Sequence, residues 1–254
     1  IQNLYYWPAL CTPYTVFSRL LETLYDSHFT FLTPSELSYA LKRPKDRTVL
    51  LTFDDGYRNT LLYAYPLLKA HDLPFVMAIN GKYVETSSWQ WFDRVWYKAV
   101  QAGWPLPATV AHIQQLKYNP HAIKKSLEQN PMPNSKTDIE SLFFDITTVD
   151  ELKRLENVSF VSHTYSHYIL TTLSEREMQE ELDKNEEFFR RKGIKADATC
   201  FVLPNGTEKD FSPHVLHLLR ERGIRYIFTM LPFTREEGLF ARFTPASSGW
   251  QKEK

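Results

Sequence analysis

Apolar positions along this chain fall into two rhythms. From Pro13 to Tyr25, Val16, Phe17, Leu20, Leu21 and Leu24 recur at helical spacing, which predicts an amphipathic helix with these five side chains facing inward. Thr33-Pro34 forms a cap and first-turn pair and predicts a second helix through Leu37 to Leu41. Thr48 to Phe53 is a β-rich apolar run ending at Asp54-Asp55-Gly56; Thr60 to Ala70 is helical; Phe75 to Ile79 is again a buried strand, closed by Asn80-Gly81. Strand, turn, helix, strand reads as a βαβ unit with a right-handed crossover, hence a parallel sheet, with Asp54 and Asp55 at the C-terminal edge of one strand. Upstream, Asn3 to Pro8 reads as a short strand stopped by proline.

Between Tyr83 and Thr147 the strand pattern disappears. Helical patterns cover Trp91 to Gln101, Ala108 to Leu116 and His121 to Gln129, followed by a polar, proline-bearing piece from Asn130 to Lys136. The expectation is a helical insertion at about 83–147 over one end of the sheet, acting as a lid or as a packing appendage. Strand pattern returns at Val158 to Val161. Ser174 to Glu177 is a capping box opening a helix whose inward face is Met178, Leu182, Phe188 and Phe189, and Gly193 ends it. A strand (Thr199 to Leu203), a turn (Pro204-Asn205-Gly206), a helix (Pro213 to Arg222) and a strand (Arg225 to Met230) follow. This alternation predicts an α/β fold and a single domain over 1–254, without internal repeats.

Composition narrows the partners. The 30 basic residues balance 30 acidic ones, so the net charge gives no ground for nucleic-acid or anionic-membrane binding, and a neutral or weakly charged substrate fits better. No apolar run is long enough to span a membrane. Aromatic content of 15% leaves two readings for the rings, core or a surface for stacking sugars. Two cysteines, Cys11 and Cys200, make no disulfide framework. The chain starts at Ile1 without Met, from which a trimmed leader is expected, and localisation stays open between cell envelope and cytoplasm.

Two stretches carry chemistry. In Ser162-His163-Thr164-Tyr165-Ser166-His167 the histidines are four apart, so one helical turn brings both rings to one side, a spacing that suits two imidazoles on one divalent ion. A carboxylate from Asp55 completes a set of two histidines and one acid with positions left open. Asp54 is placed to take a proton from water at such a site. Adjacent strand residues point to opposite faces, so both acids serve one site only if the chain turns there, and Gly56 permits the turn.

Thr52-Phe53-Asp54-Asp55-Gly56, the histidine stretch and Phe201-Val202-Leu203-Pro204-Asn205-Gly206 resemble the three motifs of the polysaccharide deacetylase family, the NodB-homology carbohydrate esterases, and most closely a bacterial exopolysaccharide-deacetylase branch. The resemblance implies a distorted (β/α)7-type barrel that removes acetyl groups from N-acetylated sugars or polysaccharide. It implies Asp54 as general base and Asp55, His163 and His167 as ligands to a divalent metal, zinc first, with cobalt or nickel as alternatives. The backbone N–H of Asn205, after the motif proline Pro204, is implied as oxyanion donor.

Two departures from the family pattern stand out. Val202 occupies the position where many members carry an arginine that orients the base; Arg242 is the expected substitute. The usual general-acid histidine, in a C-terminal Leu-x-His or an N-terminal Tyr-His, is missing: the N-terminal stretch reads Leu4-Tyr5-Tyr6-Trp7, leaving His214 and His217 as fallback candidates. A domain that binds metal and glycan without efficient turnover is therefore the alternative. A phosphotransferase using Asp54 or Asp55 as nucleophile leaves both histidines unused.

Overall fold

The structure, a computed structural model, describes residues 12–43, 45–129, 145–231 and 238–242. The strand expected at Asn3 to Pro8, the Tyr5–Trp7 position and the piece from Asn130 to Lys136 lie outside the described residues.

Eight described strands, all in parallel pairs, form two sheets. β1 (Thr30–Phe31) and β2 (Thr48–Val49) pair with each other. The main sheet has the order β3 (Thr52–Phe53), β4 (Phe75–Ile79), β5 (Val158–Ser162), β6 (Ala196–Val202), β7 (Tyr226–Thr229) and β8 (Leu239–Ala241). It curls into a half-barrel with helices against it, consistent with the NodB-like distorted barrel. α3 (Tyr65–Ala70), α9 (Glu175–Lys192) and α10 (Pro213–Glu221) connect successive strands in the way parallel pairing requires.

β4 shows how the core is layered. All five of its residues are buried, as in a strand covered on both faces. Val76 and Ala78 join Val161, Cys200, Val202 and Phe228 in the sheet interior, closed by Leu32 and by Leu37 of α2 (Leu37–Ala40). Phe75, Met77 and Ile79 point the other way, to a larger cluster with Phe17 and Leu21 of α1 (Tyr14–Asp26), Leu68 of α3 and Phe188 of α9.

Three expectations are modified. The apolar run Thr48 to Phe53 divides into β2 and β3, because each half pairs with a different neighbour, β1 or β4. The helix at Thr60 begins as a π-helical turn over Thr60–Ala64. Pro66 lacks the N–H that would reach Leu62 and its ring crowds that carbonyl, so the turn widens before α3 proceeds. On α1 only Phe17 and Leu21 are buried, and Val16 is exposed.

The insertion is built of α4 (Gly81–Thr86), α5 (Trp91–Gln101), α6 (Leu106–Leu116) and α7 (Pro120–Gln129), with α8 (Val149–Lys153) after it. Trp89, Trp91 and Trp96 are buried in the main core together with Val95, Ile113 and Ile123. These rings are core, and α5 is continuous with the body of the fold. No described helix is long and apolar enough to cross a membrane.

Candidate metal centre

The first motif turns more sharply than its glycine alone would allow. Asp55 itself adopts φ 70° and Gly56 follows at φ 75°, two successive left-handed residues directly beyond β3. The chain therefore leaves the strand's alternation, and both carboxylates reach one site. Thr147 fixes the turn by donating its N–H (2.9 Å) and hydroxyl (2.8 Å) to the Gly56 carbonyl.

The histidine stretch is not helical, which corrects the expectation of one helical turn. Thr164 (φ 61°) and His167 (φ 56°) are left-handed, and the loop after β5 folds back on itself. Buried polar groups hold that costly shape. Asn80 donates its amide to the His163 carbonyl and, at 3.1 Å, to that of Thr164. The Ser166 N–H donates to Glu181 at 2.7 Å, and the Tyr83 hydroxyl to the Ser166 carbonyl at 3.1 Å. The two imidazoles end edge to face, with centroids 4.8 Å apart.

Asp55 Oδ1 lies 3.7 Å from His163 Nε2 and 3.4 Å from His167 Nε2, and the three ligand atoms fall within 4.8 Å of one another. The Val202 carbonyl is 2.7 Å from His163 Nδ1, so Nδ1 carries the proton and Nε2 turns its lone pair inward. Burial pushes both histidines down, His167 to about 3 with His163 beside it, so both are neutral donors at ordinary pH. Asp55 is pushed well up by burial and by the neighbouring carboxylates of Asp54 and Asp93. Neutral imidazoles converging on an acidic cluster fit a divalent cation of the two-histidine, one-carboxylate kind.

Asp54 experiences the opposite balance. Burial would raise its pKa, but the Arg242 guanidinium, the two histidines and direct hydrogen bonds hold it at about 2. Arg242, immediately after β8, grips both carboxylate oxygens at 2.7 and 2.8 Å and touches Thr52 Oγ1 at 3.3 Å. Val202, where the family's arginine stands in many members, is buried, and its carbonyl serves His163 instead.

In the third motif, Asn205 (φ 56°) and Gly206 (φ 65°) again turn left-handed, and the Gly206 carbonyl accepts from Met230 N–H at 2.8 Å. Pro204 is buried and Asn205 half-buried. The fallback histidines are not drawn in: His214 is exposed on α10, and His217, 70% exposed, pairs with Glu221 at 3.3 Å.

The sequence reading overlooked the amides behind the ligands. Gln90, fully buried at the N-terminus of α5, donates to Asn80 Oδ1 (3.1 Å), to the Asp55 carbonyl (3.2 Å) and to Asp55 Oδ1 (3.4 Å). Phe92 packs its ring 5.1 Å from that of His167. Asn80 offered a signal, a polar residue capping an otherwise apolar strand; Gln90 offered none.

A curled parallel half-barrel with an acid pair and two histidines beyond its strand ends is the architecture of a NodB-like domain. Residues 41–227 match the polysaccharide deacetylase family, and the chain belongs to it. It is 28% identical over 145 residues to the Bacillus subtilis (strain 168) protein named Putative polysaccharide deacetylase YxkH, a match covering 56% of this chain and 50% of that relative. The chain thus spans about half the length of that curated relative. Among solved structures, the Streptococcus pyogenes deacetylase PplD in complex with acetate shares the fold at a TM-score of 0.62 and 16% identity, over 94% of this chain and 86% of that one. IcaB from Ammonifex degensii does so at 0.60 and 18%, over 93% and 86%.

Proposed function

We propose that the protein is a metal-dependent hydrolase that removes acetyl groups from N-acetylated sugars or polysaccharide. The observation that carries this reading is the convergence of Asp55, His163 and His167 beside an Asp54 that Arg242 keeps ionised. A divalent ion held there, zinc in the first instance, supplies a Lewis acid and lowers the pKa of water. Asp54, the neighbouring carboxylate, takes the proton of the attacking water. The N–H of Asn205 donates to the oxyanion that forms at the acetyl carbon, a contribution of roughly 3 kcal/mol to the barrier. In this reading Asp54, carrying that proton, returns it to the leaving amine as the C–N bond breaks.

The reading is tested by metal analysis and acetate release together. Purified protein should hold about one divalent ion per chain, lost when His163→Ala and His167→Ala are combined. Chelator-stripped protein should release acetate from N-acetylglucosamine oligomers only after zinc or cobalt is restored. Protein that cannot be loaded with any divalent ion contradicts the proposal.

A further inference from the structure

The turn that presents Asn205 is held in part from the insertion. Asn205 and Gly206 are both left-handed, and for Asn205 such a backbone persists only where its surroundings over-determine it. On one side the Gly206 carbonyl accepts from the Met230 N–H. On the other, Asp210, 1% exposed, folds back on the turn. Its Oδ2 accepts from the Thr207 N–H at 2.8 Å and from the Thr207 hydroxyl, while the Asp210 N–H donates to the Thr207 carbonyl at 2.9 Å. The other carboxylate oxygen is taken by the insertion. The hydroxyl of Tyr118, just beyond α6, donates to Asp210 Oδ1 at 2.9 Å across 92 residues of chain. Lys117 Nζ lies 3.9 Å from the same oxygen and 4.8 Å over the Tyr118 ring.

A buried carboxylate is costly unless its oxygens are hydrogen-bonded and its charge is opposed. Here the third motif satisfies one oxygen and the insertion the other, so Asp210 couples the two. Burial and this carboxylate push the Tyr118 hydroxyl up, which keeps it a donor. The Lys117 charge is also felt at the metal centre, where, after burial and His163, it helps to hold His167 down. We infer that Asp210, braced by Tyr118 and Lys117, is a positioning residue that holds the Asn205 N–H where the oxyanion forms, and that the insertion is thereby part of the hydrolytic apparatus. The inference rests on the deacetylase reading, in which Asn205 is the oxyanion donor, and gives the insertion a task within it.

Tyr118→Phe, which keeps the ring and removes the hydroxyl, tests it in the metal-loaded protein. An oxyanion donor acts in the transition state, so its misplacement lowers kcat without raising KM. On N-acetylglucosamine oligomers kcat should fall roughly tenfold or more, the worth of one hydrogen bond to a charged group, at unchanged KM and with the metal content of the wild type. Hydrogen exchange at the Met230 N–H, which bonds the turn but not Asp210, gives a readout independent of activity and should quicken by a similar factor. Asp210→Ala should exceed Tyr118→Phe on both readouts, and adding Tyr118→Phe to it should cost nothing further. If Asp210→Ala does not fold, Tyr118→Phe decides alone. Unchanged Met230 exchange or unchanged kcat in Tyr118→Phe, a loss of metal, a raised KM, or additive effects in the double variant overturn the inference. Quickened Met230 exchange in a protein whose wild type releases no acetate counts against the deacetylase reading alone.

Discussion

Asp54 and Asp55 are neighbours whose surroundings drive them apart. Asp55 faces burial and two other carboxylates, whereas Asp54 faces a two-pronged guanidinium, and the proposed division of roles between a metal ligand and a base rests on this difference. Because the folded pKa of Asp54, about 2, lies below its ordinary 3.8, the Arg242 pair adds stability that is complete above the ordinary value and lost as pH falls through the folded one. Metal-free Arg242→Ala should therefore lose less stability than the wild type between about pH 4 and 2, when acid unfolding is followed by circular dichroism. The same variant should turn over about tenfold or more slowly, since the base loses its orientation; unchanged turnover removes Arg242 from the account. At this scale the motif residues were legible from their identities and order. The backbone that aims them was not: Thr164 and His167 adopt φ > 0 although neither is glycine, held there by Asn80, Glu181 and Tyr83 from distant parts of the chain.

Among elements, the long periodic segments were readable because one buried stripe fixes the helical period. α9 keeps its capping box, its four inward residues and its left-handed Gly193. The two-residue strands β2 and β3 were not separable, since a run that short carries no period and the division depends on which neighbour each half pairs with. The insertion was legible as helices, but its hold on the centre through Gln90 was not. Gln90→Ala should weaken metal affinity by about 10–100-fold in chelator competition, with far-UV circular dichroism unchanged. An unaltered affinity would reduce the Gln90 contact to packing. Gly206 fixes the third motif against β7: a Cβ there would lie 3.0 Å from Met230 N and from Thr229 Cα, at a φ that also disfavours a side chain. Gly206→Ala should cost about 1–3 kcal/mol in denaturant unfolding, and a neutral effect would show that the turn can yield.

For the molecule as a whole, the half-barrel gathers onto one rim groups that are far apart in sequence. Asp54 and Asp55 follow β3, the histidines follow β5, Asn205 follows β6 and Arg242 follows β8. Alternating strand and helix patterns made the parallel sheet legible, and the motif order made the family legible. The pairing of Arg242 with Asp54 depends on how the sheet curls, which no local pattern encodes. The central claim is that Asp54 acts as base beside a metal it does not hold. The most direct test is acetate release from N-acetylglucosamine oligomers by metal-loaded Asp54→Asn, with metal content measured on the same sample. The account predicts about one bound ion, as in the wild type, and acetate release reduced by 10²–10⁴-fold or more. An Asp54→Asn protein that keeps both its metal and its rate would contradict it.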